Sequence, residues 1–264
     1  MNSIKLNKQI AEELEKISEA AGYMWQKGWI ESNGGNLSAD ITHLLQEQEI
    51  DFKNLEIIKT QLPAGAENLI VLVTGKGCRL RELAKNPEKA ACIIATNSNG
   101  DGYSIIWNGR NGMKPTSELA SHLKIHVSNR QQKNGKSTVL HAHPPGLIAL
   151  SHYSGADADK IPQMLWRMMP EVRIYLPKGI LFLSYRTPGS SELADITAES
   201  LLNCDVAVWK KHGAVASGKD IIEAFDLIDV AEKGAQIYLS CLKSGIEPEG
   251  LSDAEMKDLE KFIA

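Results

Sequence analysis

Cys92-Ile93-Ile94-Ala95-Thr96-Asn97-Ser98-Asn99-Gly100-Asp101-Gly102-Tyr103-Ser104-Ile105-Ile106-Trp107 reads as two strands around a turn. Residues 92–96 and 103–107 are rich in β-branched, aromatic and apolar side chains, and the block between them is Ser, Asn, Gly and Asp. That pattern predicts a hairpin, so its two strands run antiparallel. Strands that return by hairpins, in a chain with helical periods elsewhere, build a mixed or antiparallel sheet covered by helices.

Upstream, residues 69–73 form a continuous apolar run, read as a buried strand that ends in Thr74-Gly75-Lys76-Gly77. Residues 37–41 make a short strand after the loop signal Asn33-Gly34-Gly35-Asn36, and 46–68 read as irregular. Ile10, Leu14, Ile17 and Ala21 recur at helical spacing, which predicts an amphipathic helix reaching about Trp29. Downstream, Pro115-Thr116-Ser117-Glu118 is read as a helix opening, with hydroxyl caps and Pro near the start. That helix is expected through 125 or 127. Residues 138–143 form a strand stopped by Pro144-Pro145, and a helix follows over 146–152. Further strands are expected over 172–176, 180–183 and 206–209, with a helix over 192–202. Ile221, Phe225, Ile228, Ala231, Ala235 and Leu239 line one face of a last long helix.

A chain of 264 residues suffices for one large α/β domain with a sizeable core, and no linker composition divides it. The net charge of −4 and pI near 6.0 argue against a polyanion binder, and the basic clusters, Lys210-Lys211 and Arg79 with Arg81, are short. Cys78, Cys92, Cys204 and Cys241 form no C-x-x-C pair, which fits a reducing, cytoplasmic setting rather than a disulfide framework. Residues 1–15 hold no apolar signal-peptide core, and no run of about 18 apolar residues is present to span a bilayer.

His141-Ala142-His143 is the sharpest local feature. Residues i and i+2 of a strand share a face, so two imidazoles project side by side. A catalytic zinc site keeps three protein ligands and an open position, and His212, at the end of a strand and before a Gly, is the leading third candidate. A second constellation competes. Glu118, His122 and His126 fall at i, i+4 and i+8 on one helix face, where an H-x-x-x-H pair also suits a metal, although packing histidines would show the same spacing. Three elements favour an anion: the 33–36 loop, the 74–77 turn, and Thr116-Ser117 at a helix start. None has P-loop spacing.

Several segments together resemble the class II aldolase/adducin family. They are Lys27-Gly28-Trp29-Ile30-Glu31-Ser32-Asn33-Gly34-Gly35-Asn36-Leu37, Val73-Thr74-Gly75, Pro115-Thr116-Ser117-Glu118-Leu119, His141-Ala142-His143, Lys211-His212-Gly213 and Leu227-Ile228-Asp229-Val230-Ala231-Glu232-Lys233. The resemblance runs in order over nearly the whole chain, through Asp101-Gly102-Tyr103, Leu165-Trp166 and Pro188-Gly189. It implies one domain over 1–264, a three-layer α/β/α sandwich around a mostly antiparallel sheet, and a homotetramer with active sites between subunits. It implies one zinc ion per subunit on His141, His143 and His212, and a catalytic carboxylate at Glu118. A second carboxylate, Glu171, would come from a neighbouring subunit. The phosphate of a phosphorylated ketose would sit on Asn33, Gly35, Asn36, Gly75, Thr116 and Ser117. The implied reaction is retro-aldol cleavage; sister activities within the family are epimerisation and dehydration, and adducin heads are non-catalytic. Two departures stand out: Lys76 where relatives carry a small hydroxyl residue, and the stiff Pro144-Pro145-Gly146 after the histidine pair.

Overall fold

The computed structural model describes residues 3–45, 50, 55–110, 112–154 and 156–263. The predicted hairpin is β4 (Ala91–Thr96) and β5 (Gly102–Asn108), antiparallel with Ile93 opposite Trp107 and Thr96 opposite Tyr103, and with one irregularity between Ile93 and Ile94. It belongs to a nine-stranded sheet among the described residues, ordered β2-β5-β4-β3-β1-β6-β9-β8-β7. The other strands are β1 (Asn36–Asp40), β2 (Ile58–Lys59), β3 (Ile70–Thr74), β6 (Thr138–Ala142), β7 (Ile180–Leu183), β8 (Val206–Trp209) and β9 (Gly213–Gly218). Every neighbouring pair is antiparallel except β7 with β8.

Helices cover both faces, as the three-layer expectation requires. α1 (Lys8–Gln26) starts where the Asn7 side chain accepts the Ile10 N–H, and it packs on α2 (Leu80–Leu83) and on the long α8 (Ile221–Lys243). α4 (Pro145–Leu150), α5 (Ala156–Trp166) and α6 (Pro170–Tyr175) also pack on α8, and α9 (Asp253–Ile263) packs on α6. α3 (Leu119–Gln132) pairs with α7 (Ser191–Ser200). Alternation along β6 divides the core: Leu140 and Ala142 join the large cluster that includes α8, whereas Val139 joins Ile125, Leu193 and Trp209. His141 has the parity of Val139, so it faces α3. Among the described residues, no helix is long and apolar enough to cross a membrane.

Two local readings need correction, and one strand was not foreseen. Residues 172–176 are not a strand: 172–175 lie in α6 and Leu176 ends it, with Pro170 at its first position and Val172 and Leu176 buried four residues apart, the helical period. Residues 115–118 precede α3 rather than begin it. Glu118 is the residue before its first turn and caps nothing with its side chain, while Pro115 bridges to Gly75. β9, a stretch for which the sequence carries no strand signal, is a fully buried strand of small residues held by β6 on one side and β8 on the other. Pairing on both edges overrides weak local propensity. Part of the 46–68 stretch, residues 46–49 and 51–54, lies outside the described residues; nearby, 58–59 form the edge strand β2.

Candidate active site

His141, the last residue but one of β6, is fully buried, and His143 follows the strand, its N–H bonded to the Trp29 carbonyl at 2.9 Å. His212 lies in the three-residue turn between β8 and β9, where Lys211 takes a left-handed conformation (φ +63°) and the His212 N–H closes onto the Trp209 carbonyl at 3.0 Å. The three histidines offer one ring nitrogen each within 4.8 Å of one another. Backbone must come close for this. A Cβ on Gly213 would lie 2.4 Å from the Ala142 carbonyl oxygen and 2.7 Å from His141 Cε1, so only Gly fits. Trp209 closes one side, its ring centroid 4.4 Å from that of His141 and 5.1 Å from that of His212.

The hydrogen bonds set the tautomers. His141 Nδ1 donates to the Ala214 carbonyl at 3.0 Å, and His143 Nδ1 donates to Glu31 Oε1 at 2.7 Å. Each Nε2 is therefore left with a lone pair, and the two Nε2 atoms face each other at 3.2 Å. Two lone pairs at that separation repel; a cation between them turns the arrangement favourable. Burial holds His141 well below its usual pKa and pulls His212 down to about 4, so both are neutral at pH 7, the state that ligates. The donor set fits a metal ion, and the Glu31–His143 bond is the outer support that metal-binding histidines need.

Glu118 stands over this cluster. Its Oε2 is 3.7 Å from His141 Nε2 and its Oε1 is 3.7 Å from His212 Nε2. Burial raises its pKa; the Asn36 hydrogen bond and the nearby His143 oppose that shift. His122 and His126, the rival constellation, do not join the other three. His122 Nδ1 and His126 Nε2 both bond to Ser38 Oγ, at 2.6 and 2.8 Å, and His122 Nε2 bonds to Asn36 Oδ1.

Burial depresses His122 to a pKa of about 3 and His126 to about 4. An unfolded histidine protonates near pH 6.5, so between there and about pH 4 the unfolded chain binds protons that the folded chain refuses. Stability should therefore fall as pH drops through that window, by up to about 1.4 kcal/mol per pH unit for each of the two. Urea midpoints measured from pH 7 to pH 4.5 test this; a flat profile refutes the neutral assignment of the pair.

The three anion-favouring elements do converge. The Leu37 N–H donates to Thr74 Oγ1 at 3.2 Å, the Thr116 N–H to the Thr74 carbonyl at 2.9 Å, and the Lys76 N–H to the Lys114 carbonyl at 2.7 Å. The Gly75 N–H goes to the Ala90 carbonyl at 2.9 Å. The N–H groups of Gly75, Lys76 and Thr116 thus stitch the segments together and are not free for an anion. Asn33, Lys76 and Ser117 are exposed at this end, whereas Thr116 and Asn36 are buried.

Glu171 lies on α6, exposed, and bonds to none of the three clustered histidines within one chain. Sequence reasoning missed Glu31, although it sits in a motif already singled out, and missed Trp209. It also missed Glu232, which is buried on α8 and accepts the Gly146 and Leu147 N–H groups, both at 2.8 Å. That bond explains the stiff segment after His143: Pro145 is the first residue of α4, and a Cβ on Gly146 would lie 2.9 Å from both Glu232 oxygens.

A family model described as Class II Aldolase and Adducin N-terminal domain matches residues 15–239. The chain is 36% identical to a rhamnulose-1-phosphate aldolase of Bacteroides thetaiotaomicron, over 98% of this chain and 97% of that protein. It is 34% identical to a rhamnulose-1-phosphate aldolase of Mannheimia succiniciproducens, over 90% of each. Among solved structures, a sugar-phosphate aldolase from Thermotoga maritima superposes with a TM-score of 0.76 at 31% identity, covering 92% of this chain and all of that one. An L-fuculose 1-phosphate aldolase shares the fold, with a TM-score of 0.63 at 19% identity over 95% and 96% of the two chains.

Proposed function

Because the chain belongs to the class II aldolase and adducin family, we propose that it cleaves L-rhamnulose 1-phosphate reversibly to dihydroxyacetone phosphate and L-lactaldehyde. The observation that carries this reading is one buried carboxylate, Glu118, 3.7 Å from the Nε2 atoms of both His141 and His212, beside the facing Nε2 of His143. The near full-length likeness to rhamnulose-1-phosphate aldolases supports the substrate. His141, His143 and His212 hold one zinc ion per subunit. Bound there, zinc supplies Lewis-acid stabilisation for the negative charge that C3–C4 cleavage leaves on the three-carbon phosphate fragment.

The chain's own residues do the rest. Glu171 of a neighbouring subunit takes the proton from the C4 hydroxyl, whose oxygen becomes the aldehyde carbonyl as the C3–C4 bond breaks. Glu118 delivers a proton to C3, which keeps the electron pair of that bond. Its raised pKa suits a carboxylate that spends part of each cycle protonated. The hydroxyls of Thr116 and Ser117 and the side-chain amide of Asn33 supply donors to the phosphate, with Gly35, Asn36 and Gly75 shaping the floor. A Glu171 supplied by a second copy requires an oligomer, and the resemblance to the family makes that oligomer a homotetramer.

The test is cleavage of L-rhamnulose 1-phosphate by zinc-loaded protein, read as dihydroxyacetone phosphate release with and without a chelator. Fast release abolished by the chelator and restored by zinc is expected. No release from protein that holds stoichiometric zinc would move the substrate to a sister ketose phosphate.

A further inference from the structure

Strand β1 and helix α3 have matching repeats. Two strand residues advance about 6.8 Å, and four helix residues about 6 Å. Asn36, Ser38 and Asp40 therefore meet Glu118, His122, His126 and Arg130 rung by rung. Asn36 Nδ2 donates to Glu118 Oε2 at 2.7 Å, and Arg130 Nε and Nη2 grip the two Asp40 oxygens at 2.6 and 2.9 Å. Between them lie the bonds of His122 to Asn36 and Ser38, and of Ser38 to His126. Asn36, Ser38, His122 and His126 are all buried, where apolar side chains would be the ordinary choice.

The bonds admit one direction. An ionised carboxylate only accepts, so the Asn36 amide nitrogen donates to Glu118 and its oxygen accepts from His122 Nε2–H. His122 Nδ1 then accepts the Ser38 hydroxyl, and Ser38 Oγ accepts His126 Nε2–H. His126 Nδ1 is left bare, and it is indeed buried without a partner. The amide in the middle carries no transferable proton, so the chain orients rather than conducts.

We infer that Asn36, Ser38, His122 and His126 are positioning residues that aim the Glu118 carboxylate at the histidine cluster. The inference rests on the reaction proposed above only for its kinetic consequence. Asn36 thus serves Glu118 with one of its two amide N–H groups, whatever the other does for substrate. From Asn36 to Ser38 the buried links are each bonded at both ends, with only His126 Nδ1 unpaired at the far end; such a network holds one geometry, and it leaves Glu118 Oε1 and Oε2 each 3.7 Å from a histidine Nε2.

The experiment has two readouts. In the zinc-loaded protein with its seven histidines labelled in the ring nitrogens, 1H–15N correlation should show two buried neutral Nε2–H rings, those of His122 and His126. His122→Gln removes one of these signals and so assigns it. A His122 ring protonated at Nδ1 reverses the direction and overturns the inference, whether or not the protein turns over. In kinetics, His122→Leu should lower kcat, and the exchange of the C3 proton of dihydroxyacetone phosphate with solvent, by about 10- to 100-fold at unchanged zinc content, the range seen when outer supports of a site are removed. His122→Gln, which still donates to Asn36 and accepts from Ser38, should recover most of the loss. Equal damage in Gln and Leu, or none in Leu, overturns the positioning role. Ser38→Ala gives the same kinetic comparison should the Leu variant fail to fold. Wild-type protein with the expected tautomers but no cleavage refutes the substrate and leaves the orienting network standing.

Discussion

Glu118→Gln is expected to keep its metal and to slow turnover by roughly 10²- to 10⁴-fold, the span that a positioned acid–base group contributes. The amide is isosteric, and its oxygen still accepts from Asn36 Nδ2, which lies 2.7 Å from Glu118 Oε2 in the wild type. It loses only the capacity to carry a proton to and from carbon. The three imidazoles hold the metal without it, because His141 and His143 are oriented by the Ala214 carbonyl and by Glu31. Elemental analysis and steady-state rates on the same preparation decide the matter. Turnover near the wild-type rate would remove Glu118 from the chemistry.

His143→Ala should empty the site and abolish turnover with it. Removing a group that merely supports a ligand costs about 10- to 100-fold in metal affinity, so removing one of three ligands costs more. The effect should be local. His143 lies after the end of β6, its side chain is 15% exposed, and its backbone N–H bond to Trp29 survives the change. Zinc content by elemental analysis should fall to a small fraction of stoichiometric, with the thermal midpoint of the metal-free form little altered. Stoichiometric zinc in the variant would exclude His143 as a ligand.

Much of the architecture was legible because the signals were local. The 92–107 hairpin, the capped helix after Asn7 and the strand into His141 each carry their cause in neighbouring residues. The elements misread or left unread are those in which a distant partner decides. β9 has little propensity of its own and exists between β6 and β8. Residues 172–176 look like a strand by composition, yet Pro170 and the burial of Val172 and Leu176 against the long helix make them a turn of helix.

The candidate site divides the same way. Strand parity put His141 and His143 on one face, and helix parity put Glu118, His122 and His126 on another; both readings needed only the chain's own periods. Choosing between the two histidine sets took more. Spacing alone left them level, and resemblance to a family chose the first. The tertiary structure gives a physical reason for that choice: His122 and His126 spend their ring nitrogens on Ser38 and Asn36, whereas His141 and His143 spend only Nδ1 and turn Nε2 toward each other. Sequence by itself determined which side chains share a face, because backbone period is a property of adjacent residues. Only the tertiary structure decided which faces meet, and so which ring nitrogen carries the proton, because that depends on donors and acceptors brought in from residues far away in the chain.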